Sequence, residues 1–208
     1  MSTKFLSPGW RMPRNANQSK QSNYSMDFAA NDSIAVNGTS LQFSGSTSFS
    51  AWFKMDGSTT VDQRNIIGKG LEPNLSFFIR VHKINGDFKL RFQIQTSTGS
   101  SIRVWDASSP TVTADVWHHT VGVFDVANNQ LKLYYDGAEV SGSPVSLSGA
   151  TNINNISSDL KIGVYDNNFY DFLGQITEVS IFDYALSASQ VTTLYGNSTN
   201  GVGNPMAL

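Results

Sequence analysis

The segment from Val116 to Gly137 constrains the fold most strongly, because apolar and polar side chains alternate along it. A period of two residues is typical of a β-strand, and the Asn128-Asn129 pair near its middle is typical of a tight turn. The segment is therefore predicted to form a β-hairpin with one apolar face, which needs a second layer to cover it. That face is predicted to carry Trp117, His119, Val121, Val123, Leu131, Leu133 and Tyr135. The opposite face is predicted to carry His118, Thr120, Lys132 and Tyr134.

Alternation of the same kind recurs along most of the chain. The Asn85-Gly86 pair predicts a second hairpin, whose returning strand has a polar face that we expect to be solvent-exposed. This face carries Lys89, Arg91, Gln93 and Gln95. A helix is predicted near the C-terminus, where Ser187 and Gln190 form a capping box and Gly196 suits the helix end. Many short strands and one short C-terminal helix favour an all-β jelly-roll sandwich of two antiparallel sheets.

Charge and composition narrow the domain organisation and the partners. Residues 24–196 are predicted to form one domain, between a basic N-terminal arm (1–23) with four basic and no acidic residues and a C-terminal tail (197–208). The whole chain has a net charge of −2, whereas nucleic-acid binding requires a dense basic surface. No apolar run reaches the ~18 residues of a membrane span. Neither nucleic acid nor a membrane is therefore expected as a partner, and the absence of cysteine excludes disulfides and thiolate metal sites.

Six segments occur in an order and spacing that is specific for one fold. They are S-F-S-A-W-F-K (48–54), I-I-G-K-G (66–70), W-H-H-T-V-G-V-F-D (117–125), L-K-L-Y-Y-D-G (131–137), L-K-I-G (160–163) and F-L-G-Q-I-T-E-V-S-I-F-D-Y-A-L-S (172–187). Together they resemble the laminin G-like jelly-roll domains of the concanavalin A-like lectin/glucanase superfamily. The resemblance implies the fold of residues 24–196. It says less about function, since the superfamily includes sugar-binding modules, adhesion domains, structural domains and glycoside hydrolases.

The acidic residues do not favour a glycoside hydrolase. Glucanases of this superfamily carry a strand motif of the type Glu-x-Asp-x-(x)-Glu, whose carboxylates supply the acid and the nucleophile. The segment E-V-S-I-F-D (178–183) comes closest, but Glu178 and Asp183 would point to opposite faces of a regular strand. No motif couples a serine or a carboxylate to the histidines, and His119 is predicted to be a core residue. We therefore expect no enzyme activity and assign no catalytic residue.

The resemblance implies calcium as the candidate cofactor. In laminin G-like domains that bind calcium, ligands come from an acidic side chain before one strand and from an Asn or Asp before the F-x-G-x-I segment. The matching positions here are Glu72 or Asn74 in the first segment and Asp166, Asn167 or Asn168 in the second. Oxygen ligands on such loops suit a hard cation. The alternative is that both segments are ordinary turns with solvated side chains.

A sugar site would need exposed aromatic rings beside amide or carboxylate groups. The candidate ligand-binding residues are Trp105, Tyr165, Asn167, Tyr170 and Asp171. The alternative is that most of these rings pack inside the domain. The strand face with Lys89 and Arg91 is the next candidate surface for ligand binding.

Two functions remain open at this stage. The first is a non-catalytic recognition or adhesion module that binds carbohydrate and is displayed on a larger assembly. The second is a structural protein of a virion, such as a phage decoration, tail or fibre component, whose sandwich contacts other subunits and whose arm mediates homo-oligomer formation. The N-terminus lacks the apolar run of a signal peptide, so we expect a virion or extracellular surface reached without one.

Overall fold

The structure is a computed structural model that describes residues 25–57, 62–105, 110–165 and 170–196, except for the side chain of Trp105. These residues form thirteen strands and one helix. The strands are β1 (Met26–Phe28), β2 (Ile34–Val36), β3 (Thr47–Met55), β4 (Gln63–Leu71), β5 (Asn74–Ile84), β6 (Asp87–Gln95), β7 (Ser101–Trp105), β8 (Trp117–Asp125), β9 (Gln130–Tyr135), β10 (Ala138–Glu139), β11 (Val145–Ser146), β12 (Leu160–Ile162) and β13 (Gly174–Phe182). The helix is α1 (Ala188–Tyr195). The predicted arm (1–23) and tail (197–208) lie outside the described residues.

The described strands form two antiparallel sheets. The seven-stranded sheet has the order β1-β13-β3-β8-β9-β10, and β11 also pairs with β9. The six-stranded sheet has the order β2-β12-β4-β5-β6-β7. Strands from both ends of the chain pair within each sheet, since β13 lies between β1 and β3, and β12 lies between β2 and β4. This two-layer arrangement confirms the predicted jelly-roll sandwich.

Phenylalanine side chains dominate the core between the two sheets. Phe49 of β3 stacks on Phe77 of β5 with ring centroids 3.7 Å apart, and Phe43 packs edge-on against both rings. Gly122 of β8 leaves room for another ring, because a Cβ at this position would lie 2.9 Å from the ring of Phe92. Each fully buried side chain of this size contributes roughly 1.5–3 kcal/mol. The alternating apolar residues of β3, β5 and β6 therefore hold the two sheets together.

The central hairpin is present, but its two strands present their odd-numbered residues to opposite sides. The strands pair Asp125 with Gln130, and the register continues so that Val121 pairs with Tyr134 and Phe124 with Leu131. Residues that pair directly lie on the same face. The prediction of one apolar and one polar face was therefore wrong, because the loop places odd residues of β8 beside even residues of β9. Both faces of the hairpin are largely buried.

Helix α1 covers the outer face of this hairpin. Ser187 and Gln190 form the predicted capping box, and the helix ends before Gly196. The helix and the segment before it place Leu186, Val191 and Leu194 against the sheet. These three side chains cover Val121, Val123 and Tyr134. Trp117 lies at the start of β8, is only partly buried, and has the Lys54 ammonium 5.5 Å from its ring, so it is not the core residue predicted.

The outer face of β6 also differs from its prediction. Lys89, Arg91, Gln93 and Gln95 were expected in solvent, yet each is at most 9% exposed. Gln95 donates to the carbonyl of Pro73, and Gln93 donates to the carboxylate of Glu72. Gln93 and Gln95 are buried because the β4–β5 turn lies over them and accepts their hydrogen bonds. The outer side of the six-stranded sheet is therefore a structured polar surface.

Strand β13 is irregular at the segment E-V-S-I-F-D (178–183), which comes closest to the hydrolase motif. Its pairing with β3 shifts between Thr177 and Ser180, and Glu178 lies in this bulge with φ +50°. Asp183 follows the end of the strand. The assumption of a regular strand at this segment is therefore wrong, because the bulge adds a residue between the paired positions. In the described part of the chain, no helix is long and apolar enough to cross a membrane.

Candidate binding site

An open cleft of about 410 Å³ lies on the outer side of the six-stranded sheet. We call it the tyrosine–arginine cleft. It is lined by Gln63, Leu71, Glu72, Arg80, Arg91, Tyr165 and Tyr170. Arg80 and Arg91 are direct partners on β5 and β6, while the neighbouring residues Ile79 and Phe92 point into the core. The alternation of these two strands thus separates the apolar core from a charged outer surface.

Aromatic rings form one wall of this cleft. Tyr165 packs edge-on against Phe78 of β5 with ring centroids 5.8 Å apart, and its own neighbour Tyr170 lies 5.7 Å away. Tyr165 is buried, and burial raises the pKa of its hydroxyl. Tyr170 is partly exposed. The two tyrosines therefore differ in role, since Tyr165 supports the wall and Tyr170 presents a ring toward the cleft.

Arg80 is a buried cation held among these rings. Its guanidinium lies 3.6 Å from the ring centroid of Phe78 and 5.2 Å from those of Tyr165 and Tyr170. One Nη donates to the side-chain oxygen of Gln63 at 2.9 Å, whereas Nε is buried without an acceptor in the described structure. Burial lowers the pKa of Arg80, and the two tyrosines and Glu72 partly oppose this. The side chain is only 5% exposed, so it is rigidly placed at the base of the cleft.

A second arginine and one carboxylate complete the charged lining. Burial lowers the pKa of Arg91 to about 10, with further lowering from Arg80 and Arg103 and an opposing effect of Glu72. The carboxylate of Glu72 accepts a hydrogen bond from the Gln93 amide. The described lining thus holds two guanidinium groups and one carboxylate, which makes the cleft electropositive although the whole chain is not.

The backbone of Tyr170 has a conformation that a bulky side chain rarely adopts. Its φ is +59°, in the left-handed region. Two hydrogen bonds hold this segment in place: the Asn65 N–H donates to the Tyr170 carbonyl at 2.8 Å, and the Phe172 N–H donates to the Gly163 carbonyl at 2.7 Å. Such a conformation costs of order 1–3 kcal/mol and persists where surrounding structure enforces it, often at ligand sites. The surrounding structure therefore holds Tyr170 in a strained conformation at the edge of the cleft.

The structure brings three of the predicted site residues together in the cleft, namely Glu72, Tyr165 and Tyr170. Asn74 is the exposed first residue of β5. Asp171 is not part of the lining, and one of its carboxylate oxygens accepts from the Asn31 N–H at 3.1 Å. Trp105 pairs with Arg91 in the β6–β7 ladder, and its side chain is outside the described structure. Asp166, Asn167 and Asn168 lie outside the described residues.

The calcium prediction rests on both described and undescribed ligands. Calcium takes six to eight oxygen ligands. Of the predicted set, only Glu72 and Asn74 are described, and one oxygen of Glu72 already accepts from Gln93. Within residues 25–57, 62–105, 110–165 and 170–196, no group of three His, Asp or Glu residues could hold a metal. The described residues therefore do not form a calcium site by themselves, and the prediction depends on Asp166 and Asn168.

Sequence reasoning missed Arg80 and Gln63. A signal was present in S-F-F-I-R-V-H (76–82), where Phe78 and Arg80 share one face of the strand. A large aromatic residue beside an arginine on a polar face indicates a cation packed on a ring. Gln63 carried no such signal, because its role depends on the register between β4 and β5.

His118 and His119 lie apart from this cleft. His119 is 1% exposed on the outer face of the seven-stranded sheet, where its Nε2 forms a 2.9 Å hydrogen bond with Ser50 and its ring lies 5.0 Å from that of Trp52. Burial lowers its pKa to about 4. His118 is buried on the other face, within hydrogen-bonding distance of the Asp136 carboxylate. Their packing agrees with the prediction that His119 is a core residue.

The comparison with protein families decides the classification. Residues 28–192 match a laminin G family model described as the concanavalin A-like lectin/glucanases superfamily. The chain belongs to this family. The resemblance inferred from the six sequence segments is thereby confirmed. A comparison of this laminin G-like chain with curated proteins gives no match.

Solved structures share the fold of this laminin G-like chain at low sequence identity. A heptameric SAP-like pentraxin from Limulus polyphemus is 14% identical with a TM-score of 0.61, covering 86% of this chain and 84% of the pentraxin. A provisionally assigned carbohydrate-binding protein from Bacteroides ovatus is 18% identical with a TM-score of 0.57, covering 86% and 49%. The NanB sialidase from Streptococcus pneumoniae is 21% identical with a TM-score of 0.61, covering 81% and 27%. This chain thus spans about half or less of the latter two proteins, and the likeness shows the fold alone.

Proposed function

We propose that this chain is a non-catalytic carbohydrate-binding module whose ligand occupies the tyrosine–arginine cleft. One observation carries the proposal: the ring of Tyr170 borders an open cleft that also holds two guanidinium groups, an amide and a carboxylate. A sugar has apolar C–H faces and hydroxyl groups around its edge. Aromatic rings with a few placed polar groups match that pattern.

The polar residues suit recognition of hydroxyl groups. Glu72 has acceptor capacity beyond the hydrogen bond from Gln93, and Arg91 supplies donors. Gln63 is oriented by its hydrogen bond from Arg80. Gln63, Arg80 and Arg91 lie on strands β4, β5 and β6. Glu72 lies in the β4–β5 turn, where the hydrogen bond from Gln93 holds its carboxylate. The fold therefore positions these side chains before a ligand arrives. Preorganisation of this kind reduces the entropy lost on binding.

The absence of catalysis is part of the proposal. Canonical glycoside hydrolysis uses two carboxyl groups that flank the scissile bond. Glu72 is the single carboxylate among the described lining residues. Among the solved structures that share the fold, the Bacteroides ovatus protein is a provisionally assigned carbohydrate-binding protein and the Streptococcus pneumoniae protein is a sialidase. The composition of the cleft supports binding over cleavage.

A glycan array followed by calorimetry on the full chain tests the proposal. We expect at least one glycan to bind, and Tyr170→Ala to abolish that binding. Tyr184→Ala is the matched control, because Tyr184 is 39% exposed and lines a different cleft of about 340 Å³. If Tyr184→Ala abolishes binding and Tyr170→Ala leaves it unchanged, the site lies outside the tyrosine–arginine cleft. Failure to bind any glycan would contradict the proposal and favour the virion structural role.

A further inference from the structure

Arg80 is a buried cation that has no partner of opposite charge among the residues that the structure describes. A buried charge is normally paired with an opposite charge and fully hydrogen-bonded. Lys89–Asp87 and Lys132–Asp125 are ion pairs between described residues, whereas Arg80 forms no ion pair with a described carboxylate. Its buried Nε has no acceptor in the same part of the chain. Rings and one neutral amide are its direct partners.

Arg80 cannot relieve this imbalance by losing its proton. Arginine stays protonated in proteins, unlike a buried histidine or lysine. The aromatic faces attract the cation but accept none of its N–H groups conventionally. Arg80 also sits directly opposite Arg91 in the β5–β6 ladder, and like charges in that position repel each other. An anion bound in the cleft would supply the missing opposite charge and reduce the repulsion between Arg80 and Arg91.

The orientation of Arg80 favours a planar anion. One face of the guanidinium rests on Phe78 at 3.6 Å, so hydrogen bonds must form at the edge of the group. The edge of a guanidinium matches a carboxylate through two parallel N–H···O hydrogen bonds. Glu72 lines the same cleft, and its negative charge disfavours ligands with several charges at this point. A single carboxylate fits these constraints.

We propose that the sugar recognised in the tyrosine–arginine cleft is an acidic one, whose carboxylate binds to Arg80 with help from Arg91. The inference rests on the proposed function, because it specifies the class of carbohydrate. A uronic acid residue has this chemistry: its carboxylate meets Arg80, and its ring lies beside Tyr170. Arg80 is then the residue that selects acidic over neutral sugars.

The sharpest test changes the ligand and leaves the protein intact. Calorimetry compares an oligogalacturonate with its methyl ester, which has the same rings and hydroxyl groups without the charge. We expect the acid to bind about tenfold to a hundredfold more tightly, as for a charge-assisted hydrogen bond. Arg80→Gln should remove the difference, and Arg80→Lys should restore only part of it, since lysine lacks the planar fork.

Lys83→Gln is the matched control, because Lys83 is an exposed cation on the same strand and does not line the cleft. It should preserve the preference for the acid. Equal binding of acid and ester would overturn the inference while leaving the proposed function in place. Tighter binding of a sulfated oligosaccharide than of the oligogalacturonate would also overturn it. Failure of every glycan on the array would contradict the proposed function itself. Should Arg80→Gln not fold, the comparison of acid with ester on the unaltered chain remains decisive.

Discussion

The outer faces of the two sheets are both buried in part, yet they are built from different chemistry. On the seven-stranded sheet, helix α1 packs Val191 and Leu194 onto Val121 and Val123. On the six-stranded sheet, the outer face carries arginines, glutamines and tyrosines around an open cleft. The first face is closed by the chain itself. The second is organised but accessible, which is the condition for binding a ligand.

Two buried nitrogen groups show what this difference means. His119 lies 5.0 Å from the ring of Trp52 and Arg80 lies 3.6 Å from that of Phe78, so both pack on aromatic rings. His119 adapts to burial by becoming neutral, since burial lowers its pKa to about 4. Arg80 keeps its charge. A similar aromatic environment therefore holds a neutral core residue, His119, on one sheet and a permanent cation, Arg80, on the other. Only the second is suited to binding an anion.

The largest expected effect separates two tryptophans near the helix-covered face. Trp52 is 2% exposed and stacks on Tyr195 of α1 at 5.7 Å, whereas Trp117 is only partly buried. Trp52→Ala should lower the free energy of unfolding by about 3–5 kcal/mol. Trp117→Ala should lower it by less than about half of that amount. Urea unfolding of both variants measures this, and a larger loss in Trp117→Ala would contradict the assignment of the two faces.

His119 should make the stability of the helix-covered face depend on pH. Burial lowers its pKa from 6.5 to about 4, and the Asp136 carboxylate opposes this only in part. The unfolded chain therefore binds a proton more readily, so stability is complete above about pH 6.5 and falls as the pH decreases toward 4. The loss should reach about 3 kcal/mol. Urea unfolding between pH 7 and 4 measures it.

The variants at two histidines provide the comparison for this pH effect. His119→Gln should remove most of the dependence between pH 6.5 and 4. His82→Gln should preserve most of it, because burial also lowers the pKa of His82 but that side chain is less deeply buried. An unchanged slope in His119→Gln would show that other groups cause the acid sensitivity.

The strands and the sandwich could be predicted because alternation and turn residues act locally. The pairing of the central hairpin could not, because its register depends on how residues 126–129 close the loop. A change of one position in register moves every side chain to the other face. Trp117 and the outer face of β8 were misassigned for that reason.

The tyrosine–arginine cleft could be predicted only in part for a related reason. Tyr165 and Tyr170 belong to the segment 165–171, which is rich in aromatic, amide and acidic residues, so composition identifies them. The spacing of Phe78 and Arg80 is a local signal, but Arg80 is enclosed by aromatic rings only when Tyr165 and Tyr170 fold over β5. One sequence does not show which strand lies beneath which loop. Long-range packing, rather than local pattern, therefore determines the chemistry of the cleft.

Calcium should have a smaller effect on the stability of the chain than these changes. If Asp166 and Asn168 join Glu72 in holding the ion, saturating calcium at about 100 times its Kd adds about 2.7 kcal/mol to stability. Calcium should then raise the Tm of the unaltered chain, and EDTA should reverse the rise. Asp166→Ala combined with Asn168→Ala should abolish the response, whereas Asp183→Ala should leave it intact. An unchanged Tm in calcium would contradict the predicted site.

The smallest effect on stability is expected for a substitution of Tyr170. This substitution should separate ligand binding, on the outer face of the six-stranded sheet, from stability, which depends on the helix-covered face of the seven-stranded sheet. Asparagine tolerates the left-handed conformation better than tyrosine, so Tyr170→Asn relieves backbone strain at φ +59° while it removes the ring. The two effects oppose each other, and the free energy of unfolding should change by no more than about 1 kcal/mol. Glycan binding should nevertheless be lost, because the partly exposed ring that borders the cleft is gone. Trp52→Ala should show the reverse, with a large loss of stability and an unchanged affinity in the fraction that stays folded. A Tyr170→Asn variant that binds normally would mean that the strained tyrosine serves the fold and not the ligand.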